Sequence, residues 1–432
     1  MSNVLSVLGD PVDQGALDQL KRCLEHPSAK WGALNADHHL GYSMPIGGVI
    51  AYENAISPTG VGYDIGCGNL AVNTHMTMSD LESASAFDGC TDDNAVGHYM
   101  DKIYNDFKFG MGAQYESCVF PEDAVFQSPK WEREELAPLK DMAMKQFGTI
   151  GSGNHYIDLF KSDKGEIWIG VHFGSRGLGH KITTGYMNLM QGKPWDAKGG
   201  QGDMNDPGLV YLADSTIGKG YIEAMQLAGD YAWESREWVV SQIIEMLGCG
   251  KEAHGPHWVH NHHNYAWKET HFDTEVWVVR KGATPNFPAG IDGRLEGQRS
   301  FIGGSMGEKA VIVEALDSVK SRHTLFSTVH GAGRTMSRTA AAGKFIKQYD
   351  EKGKKKRTSL RDGKGALNYA GWKKQMELAD VYLRGGDLDE APGAYKNLED
   401  VLIEQGMRET FTVKEILTPI GVAMAGPEDS PR

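Results

Sequence analysis

SPTGVGYDIGCGNLAV, residues 57–72, decides how this chain is read. An acid and a thiol three apart, Asp64 and Cys67, are wrapped in Gly60, Gly62, Gly66 and Gly68. Glycines at that density let the backbone take positive φ and turn tightly, so both side chains can converge on one point. A carboxylate and a thiolate meeting in one turn suggest half a metal site, one ligand hard and the other soft. The other half lies downstream, in histidines mostly set among glycines. These are His155 in GTIGSGNHYIDL, His172 in GVHFGSRGLGH, His260, His262 and His263 in VHNHHNYAWKE, and His330 in TVHGAGRTMSR. An isolated DxxC is a turn aspartate beside a buried thiol; the glycines and the later histidines favour a metal site.

These motifs run from residue 37 to residue 334. A site built from all of them uses nearly the whole chain, so residues 1–432 are expected to form a single large domain. No Ser/Pro linker, low-complexity tract or fixed-period repeat divides it. EIWIGVH (166–172) alternates Ile167, Ile169 and Val171 with Trp168, Gly170 and His172, the period of a half-buried strand with His172 at its end. EVWVV (275–279) and KAVIVEAL (309–316) carry similar strand signals. Apolar spacing of three and four over 222–247, with Gly248 as a stop, predicts a long helix. A second helix is expected over 337–349, just after HGAGR. Strands and helices intermix without βαβ alternation, which makes α+β the fold class.

Composition narrows the function classes. Of the 432 residues 40% are hydrophobic, enough for a substantial core, and 23% are charged, as in ordinary globular proteins. Five cysteines form no CxxC pair and no even framework, which predicts reduced thiols in the cytoplasm. The N-terminus carries no basic segment followed by an apolar one, and no apolar run approaches the roughly 20 residues that span a bilayer. No membrane association is expected. A net charge of −13 argues against a general nucleic-acid coat but leaves room for a local basic cleft.

Asn154 and His155 follow a GSG turn, which predicts a rim position, and His172 stands at a strand-to-loop transition; site residues commonly sit at such places. Within HNHHN, His263 is the ligand of choice, because HNYAWKE reads as the start of an amphipathic helix. His330 opens a glycine-rich turn expected to lead into a helix, with Arg334 four residues on. Helix N-termini favour anions and arginine can grip phosphate in two-pronged fashion. His330 is therefore either a phosphoryl-type nucleophile or a fifth metal ligand. RKGATPNFPAG (280–290) and IGGSMG (302–307) are further glycine-rich loops. A basic run over 344–364, with Lys354, Lys355, Lys356, Arg357 and Arg361, is a solvated loop or a set of phosphate contacts.

Together the ordered motifs resemble those of the RtcB-type RNA ligases, the tRNA-splicing ligase family. They are ADHHLG (36–41), PIGGV (45–49), GVGYDIGCG (60–68), GSGNH (151–155), HFGSRGLG (172–179), HHN (262–264), RKGAT (280–284), GGSMG (303–307), HGAGR (330–334) and AYKNLEDV (394–401). The resemblance implies mixed β-sheets and peripheral helices around a central metal cleft. It also implies an enzyme dependent on manganese and GTP that joins an RNA 3′-phosphate or 2′,3′-cyclic phosphate to a 5′-hydroxyl. By that resemblance Asp64, Cys67, His155, His172 and His263 bind two Mn²⁺ ions, with Cys67 bridging. His330 is the histidine that becomes guanylylated. Asn154, Ser305 and the turn of Gly331, Ala332, Gly333 and Arg334 contact the nucleotide, and Tyr395 belongs to its guanine pocket. A Cys/His/Asp set by itself fits zinc equally well. RNA, such as tRNA halves, is the expected partner, and an activating protein is left open.

Two departures from the family pattern concern the base. Asp158 stands where the family usually has a glutamate reading the guanine edge. The chain ends LTPIGVAMAGPEDSPR, with Met424 and Ala425 near the place of a guanine-contacting lysine. A pocket that loses such partners loses discrimination. The alternatives are therefore an RNA 3′-end-capping or specialised repair enzyme with altered nucleotide specificity, or an inactive RNA-binding paralogue.

Overall fold

Runs of alternating β-branched and aromatic residues become strands of two mixed sheets, in a computed structural model that describes residues 3–90, 94–117, 124–198, 204, 208–255, 257–346, 348–349, 355–356, 361–427 and 429. The first sheet has five strands in the order Val4–Val7, Ala29–His39, Ile46–Tyr52, Thr274–Lys281 and Asn264–His271. The second has the path Arg299–Ile302, Ala310–Ala315, Phe411–Met424, Tyr156–Ser162, Glu166–Phe173, Gly68–Thr77 and Val259–His262. Tyr382–Gly385 runs parallel to Phe411–Met424 as its eighth strand. The ends of that path nearly meet. The Asn261 amide donates to the Arg299 carbonyl at 3.1 Å and accepts from the Phe301 N–H at 3.3 Å. The α+β class and the mixed sheets with surrounding helices agree with expectation.

One helix, Thr216–Leu247, ties the sheets together. The Ser215 hydroxyl caps it by accepting from the Gly218 N–H at 3.0 Å, an interaction worth about 1 kcal/mol. Gly248 ends it in the left-handed conformation at φ 70°. Its first half, with Tyr221, Met225, Ala228 and Tyr231, packs in the core that includes the five-stranded sheet. Its second half, with Val239, Val240, Ile243 and Leu247, packs under the eight-stranded one.

Antiparallel pairing then sets the site. Gly68 pairs with Phe173 and with His262, and Tyr156 pairs with His172. Asp64 and Cys67 precede one strand, His155 precedes the next, His172 ends a third and His263 follows a fourth. All four points that carry candidate ligands therefore lie at one end of the same sheet.

Several local expectations are corrected. The helix expected over 337–349 is only Arg338–Ala342, because Gly343 turns the chain at φ 79° and a Cβ there would meet Asp362 at 2.3 Å. HNYAWKE is a strand, Asn264–His271, whose hairpin with Thr274–Lys281 outweighs its helical look. The Glu166–Phe173 strand is buried on both faces, since helices cover one side and Phe301 with Phe160 the other. Lys354 and Arg357 lie outside the described residues, as do the side chains of Lys355 and Lys356. Arg361 does not reach for phosphate: it is buried in ion pairs with Asp387, at 2.5 Å, and Asp389, at 3.1 Å.

Candidate metal centre and active-site cleft

The turn that presents Asp64 and Cys67 is held shut by backbone bonds. The Cys67 N–H donates to the Asp64 carbonyl at 3.1 Å, and the His263 N–H donates to the Cys67 carbonyl at 2.8 Å. Gly66 takes φ 70° and presses on Gly229 of the long helix. Gly68 is needed for a close approach, because a Cβ there would lie 2.0 Å from the Asn261 carbonyl oxygen.

The histidines meet this turn with their orientation fixed from behind. The His172 Nδ1–H donates to Asn69 Oδ1 at 2.5 Å, and Asn69 is itself oriented by donating to the Phe301 carbonyl at 2.9 Å. That assigns the lone pair to His172 Nε2, which lies 3.5 Å from the Cys67 sulfur. The shortest Nδ1 contact of His155 is the Ile150 carbonyl at 3.0 Å. With the proton there, Nε2 faces Asp64 Oδ2 at 3.0 Å and the Cys67 sulfur at 3.6 Å. His263 stacks on His172 with ring centroids 5.0 Å apart.

Two donor groups result, Asp64–Cys67–His155 and Cys67–His172–His263, each with its ligand atoms within 4.8 Å of one another. Cys67 is common to both. Among the described residues, buried Asp64 Oδ1 and His263 Nδ1 have no hydrogen-bond partner. Buried polar atoms normally find partners, so these orphans fit a cation. The set of thiolate, three imidazoles and a carboxylate suits a borderline divalent ion. Burial, with Asp64 beside it, pushes the Cys67 thiol well above its ordinary value, so metal uptake must displace its proton. Burial would raise Asp64 as well, but without a metal the hydrogen bond it accepts from a proton on His155 Nε2, with the charges of His155 and Arg176, holds it below the usual range. Burial and neighbouring His155 and His330 pull His172 far down, which keeps it neutral as a ligand must be.

His330 reaches the same cleft from a separate two-stranded sheet, in which Ala283–Pro285 pairs with Ser327–Val329. It follows Ser327–Val329, and its backbone N–H and Nδ1–H both donate to Asp37 Oδ2, at 2.9 and 2.6 Å. Asp37 is fully buried in the Ala29–His39 strand. Burial would raise its carboxyl, but His330's charge and hydrogen bonds hold it low. Nε2 of His330 is left free, one ring away from His263 at 5.0 Å between centroids. No helix begins at HGAGR; the next starts at Arg338, so the turn expected to bind an anion is a loop of backbone packed on Asp37.

The cleft has a volume of about 760 Å³, within the range of small-molecule sites. Asn154, Asp158, Ser305, Gly331, Ala332, Gly333, Arg334 and Tyr395 all line it with the metal candidates. Asn154 is half-buried and His155 is buried, so the predicted rim position holds only for the first. Ser305 is engaged with Glu308. Arg334 is not a free phosphate clamp. It donates to Glu390 and to the Tyr395 hydroxyl, both at 3.0 Å, and lies over the Tyr395 ring. Arg338, half-exposed at the mouth and paired with Glu390, is the more available cation.

Asp158 is buried, and its Oδ1 has no partner among the described residues. It faces Val422 across the sheet, and Val422 and Met424 line the wall beside it. Burial alone pushes its carboxyl well above the ordinary range. The folded protein thus keeps a proton that the unfolded chain releases near pH 4. Stability falls as pH rises through that window, with a slope of up to about 1.4 kcal/mol per pH unit. Asp158→Asn, which cannot ionise, is expected to melt close to wild type at pH 4 and increasingly above it toward pH 8. Thermal denaturation of both proteins across that range checks the sign.

Sequence reasoning missed Asp37, Asn69 and Glu390 as members of the site. Asn69 carried a signal, since it lies two residues beyond Cys67 and so on the same strand face. Asp37 lay inside a quoted motif without a role, and Glu390 had no local signal at all.

Comparison with known proteins places this geometry among relatives. The family model described as tRNA-splicing ligase RtcB matches residues 19–425. An RNA-splicing ligase RtcB from Escherichia coli K12 is 30% identical, with 95% of each chain covered. A tRNA-splicing ligase RtcB from Thermococcus kodakarensis is 28% identical over 91% of this chain and 87% of its own. One from Pyrobaculum aerophilum is 28% identical with the same coverage.

Proposed function

The chain belongs to the RtcB family of tRNA-splicing ligases, and from that premise we propose that it joins RNA ends through a nucleotidyl-histidine. The observation that carries this reading is His330, held by Asp37 with Nε2 free, one ring from two donor groups that share Cys67. Residues 1–432 act as one catalytic domain, because the cleft draws on both sheets.

His330 Nε2 attacks the α-phosphorus of GTP. A P–N bond forms as the bond to the bridging oxygen breaks, and pyrophosphate leaves with the electron pair. Asp37 keeps the Nδ1 proton in place and offsets the positive charge that develops on the ring. An oxygen of the RNA 3′-phosphate then attacks the same phosphorus, and the electron pair of the P–N bond returns to Nε2. The 5′-hydroxyl oxygen of the second RNA attacks the 3′-phosphorus, GMP departs, and the hydroxyl proton passes to solvent. A 2′,3′-cyclic phosphate enters after water opens it to the 3′-phosphate. Divalent cations held by Asp64, Cys67, His155, His172 and His263, two manganese ions by the resemblance, supply charge neutralisation for the phosphates. Asn154, Ser305, Asp158, Tyr395 and the backbone from Gly331 to Gly333 surround the nucleotide.

No helix among the described residues is long and apolar enough to cross a membrane. Among the described residues the thiols of Cys23, Cys67 and Cys249 are in no disulfide, which accords with action in the cytoplasm.

Incubation of manganese-loaded protein with α-labelled GTP or ATP tests the first step. A GTP adduct that survives denaturation supports it, whereas no adduct with either nucleotide overturns it. The partnerless Asp158 beside Val422 and Met424 favours one second reading, a changed nucleotide preference, for which an ATP-only adduct is the signature. Product analysis of a 3′-phosphate RNA, with and without a 5′-hydroxyl strand, separates joining from end capping.

Asp37→Asn leaves the His330 site nearly unchanged in shape but removes the charge that fixes the ring's tautomer. Adduct formation is expected to slow by roughly 10²–10⁴-fold, by analogy with the loss of a triad aspartate. Single-turnover labelling at saturating GTP measures it, with metal content as the control.

A further inference from the structure

Arg236 has no part in the mechanism above, yet it is among the most deeply buried charges in the protein, at 0% exposure. It sits midway along the Thr216–Leu247 helix, between the segments that pack in the two cores. Among the described residues no carboxylate lies within ion-pair distance of its guanidinium. All its hydrogen bonds go to neutral acceptors. Nη1 donates to the Gly66 carbonyl at 2.9 Å and the Phe173 carbonyl at 2.6 Å. Nε donates to His260 Nε2 at 2.9 Å, and Nη2 donates to His262 Nδ1 at 2.9 Å in the tautomer that leaves that nitrogen unprotonated; in the other tautomer Nδ1 donates to the Gly66 carbonyl, also at 2.9 Å.

Three of these four acceptors are chain neighbours of metal candidates. Gly66 precedes Cys67, Phe173 follows His172, and His262 precedes His263. Those three form one of the two donor groups. The alternation of the Val259–His262 strand explains the arrangement. His260 and His262 share the face toward the long helix, where Trp233 stacks on His260. His263, one residue on, turns the other way into the cleft. The HNHHN run thus divides into one cleft-facing ligand and two histidines that receive the guanidinium.

We propose that Arg236 is a positioning residue for the metal centre, one planar guanidinium that locks the three chain segments carrying Cys67, His172 and His263 into ligand geometry. A buried unpaired cation is costly, and an apolar side chain of similar volume would fill the space more cheaply. The fork geometry of guanidinium is what an apolar chain or a lysine cannot supply. By charge alone Arg236 repels a divalent cation, so position and charge predict opposite effects on metal affinity.

The inference rests on the metal-centre reading, and cobalt titration keeps the two apart. Wild type, Arg236→Met, Arg236→Lys and, as a control for weakening the same helix, Ile243→Ala are titrated with Co²⁺, following affinity and the sulfur-to-cobalt absorption band. Wild type that binds no cobalt overturns the metal reading itself. With binding in wild type, Arg236→Met is expected to lose about 10–100-fold in affinity with an altered band, the usual effect of removing a group behind the ligands. Arg236→Lys should fall between the two, and Ile243→Ala should bind as wild type does. Unchanged or tighter binding in folded Arg236→Met overturns the proposal, as does an equal loss in Ile243→Ala. If Arg236→Met does not fold, Arg236→Lys decides: a several-fold loss supports the proposal and wild-type affinity and spectrum overturn it.

Discussion

His330→Ala is expected to carry no covalent nucleotide, with labelling down by at least about 10⁴-fold, while metal content stays near that of wild type. The first effect follows from chemistry: the P–N bond has one nitrogen to form on, and a removed nucleophile has no substitute at that distance. The second follows from geometry. His330 belongs to neither donor group, and among the described residues it meets the metal candidates by an edge-on ring contact with His263. Sequence alone left His330 as nucleophile or fifth ligand, and this variant separates the roles. Labelling with α-phosphate-labelled GTP, beside elemental analysis of the same preparation, checks both. Retained adduct would move the nucleophile elsewhere. Lost metal would make His330 a ligand.

Most of this cleft was legible because ligand chemistry is written in residue type and local turn. Asp64, Cys67, His155, His172 and His263 each stand beside a strand end, the first four in a glycine-rich setting, and strand ends are where an antiparallel sheet brings distant segments together. What holds those side chains was less visible. Asp37 acts on His330 from 293 residues away, and Asn69 orients His172 from 103 residues away. No window of sequence contains such pairs. Arg334 shows the converse error: a local motif suggested a phosphate clamp, but Glu390, 56 residues on, claims the guanidinium.

The fold was legible at the level of class and of its longest elements. The 222–247 pattern found a helix that begins six residues earlier, at Thr216, because Ser215 rather than the first apolar residue sets its start. HNYAWKE misled because its aromatic spacing fits a helix, whereas cross-strand pairing of Tyr265 with Arg280 and Trp267 with Val278 makes it a hairpin arm. Tertiary pairing of this kind overrides a short segment's own preference. The expected helix after HGAGR failed for a local reason, the positive φ of Gly343.

Cys67→Ala should abolish both metal binding and the covalent adduct, the second large effect. The sulfur is the one atom common to the two donor groups, so its removal leaves Asp64 with His155 and His172 with His263 as separate pairs. Two ligands hold a divalent cation far more weakly than three, and affinity is expected to fall by more than about 100-fold, beyond the usual effect of losing a supporting residue. Folding should survive, because the change removes one buried atom and leaves the backbone bonds of the turn in place. The readout is thermal denaturation with added metal. Wild type gains about 2.7 kcal/mol when metal reaches 100 times its Kd, and Cys67→Ala should gain almost nothing. Cys67→Ser restores volume but offers a hydroxyl that keeps its proton near neutral pH, so it should rescue packing and not metal. Two ions retained by Cys67→Ala would mean that each pair completes its site without the sulfur, and the shared-thiolate centre would be wrong.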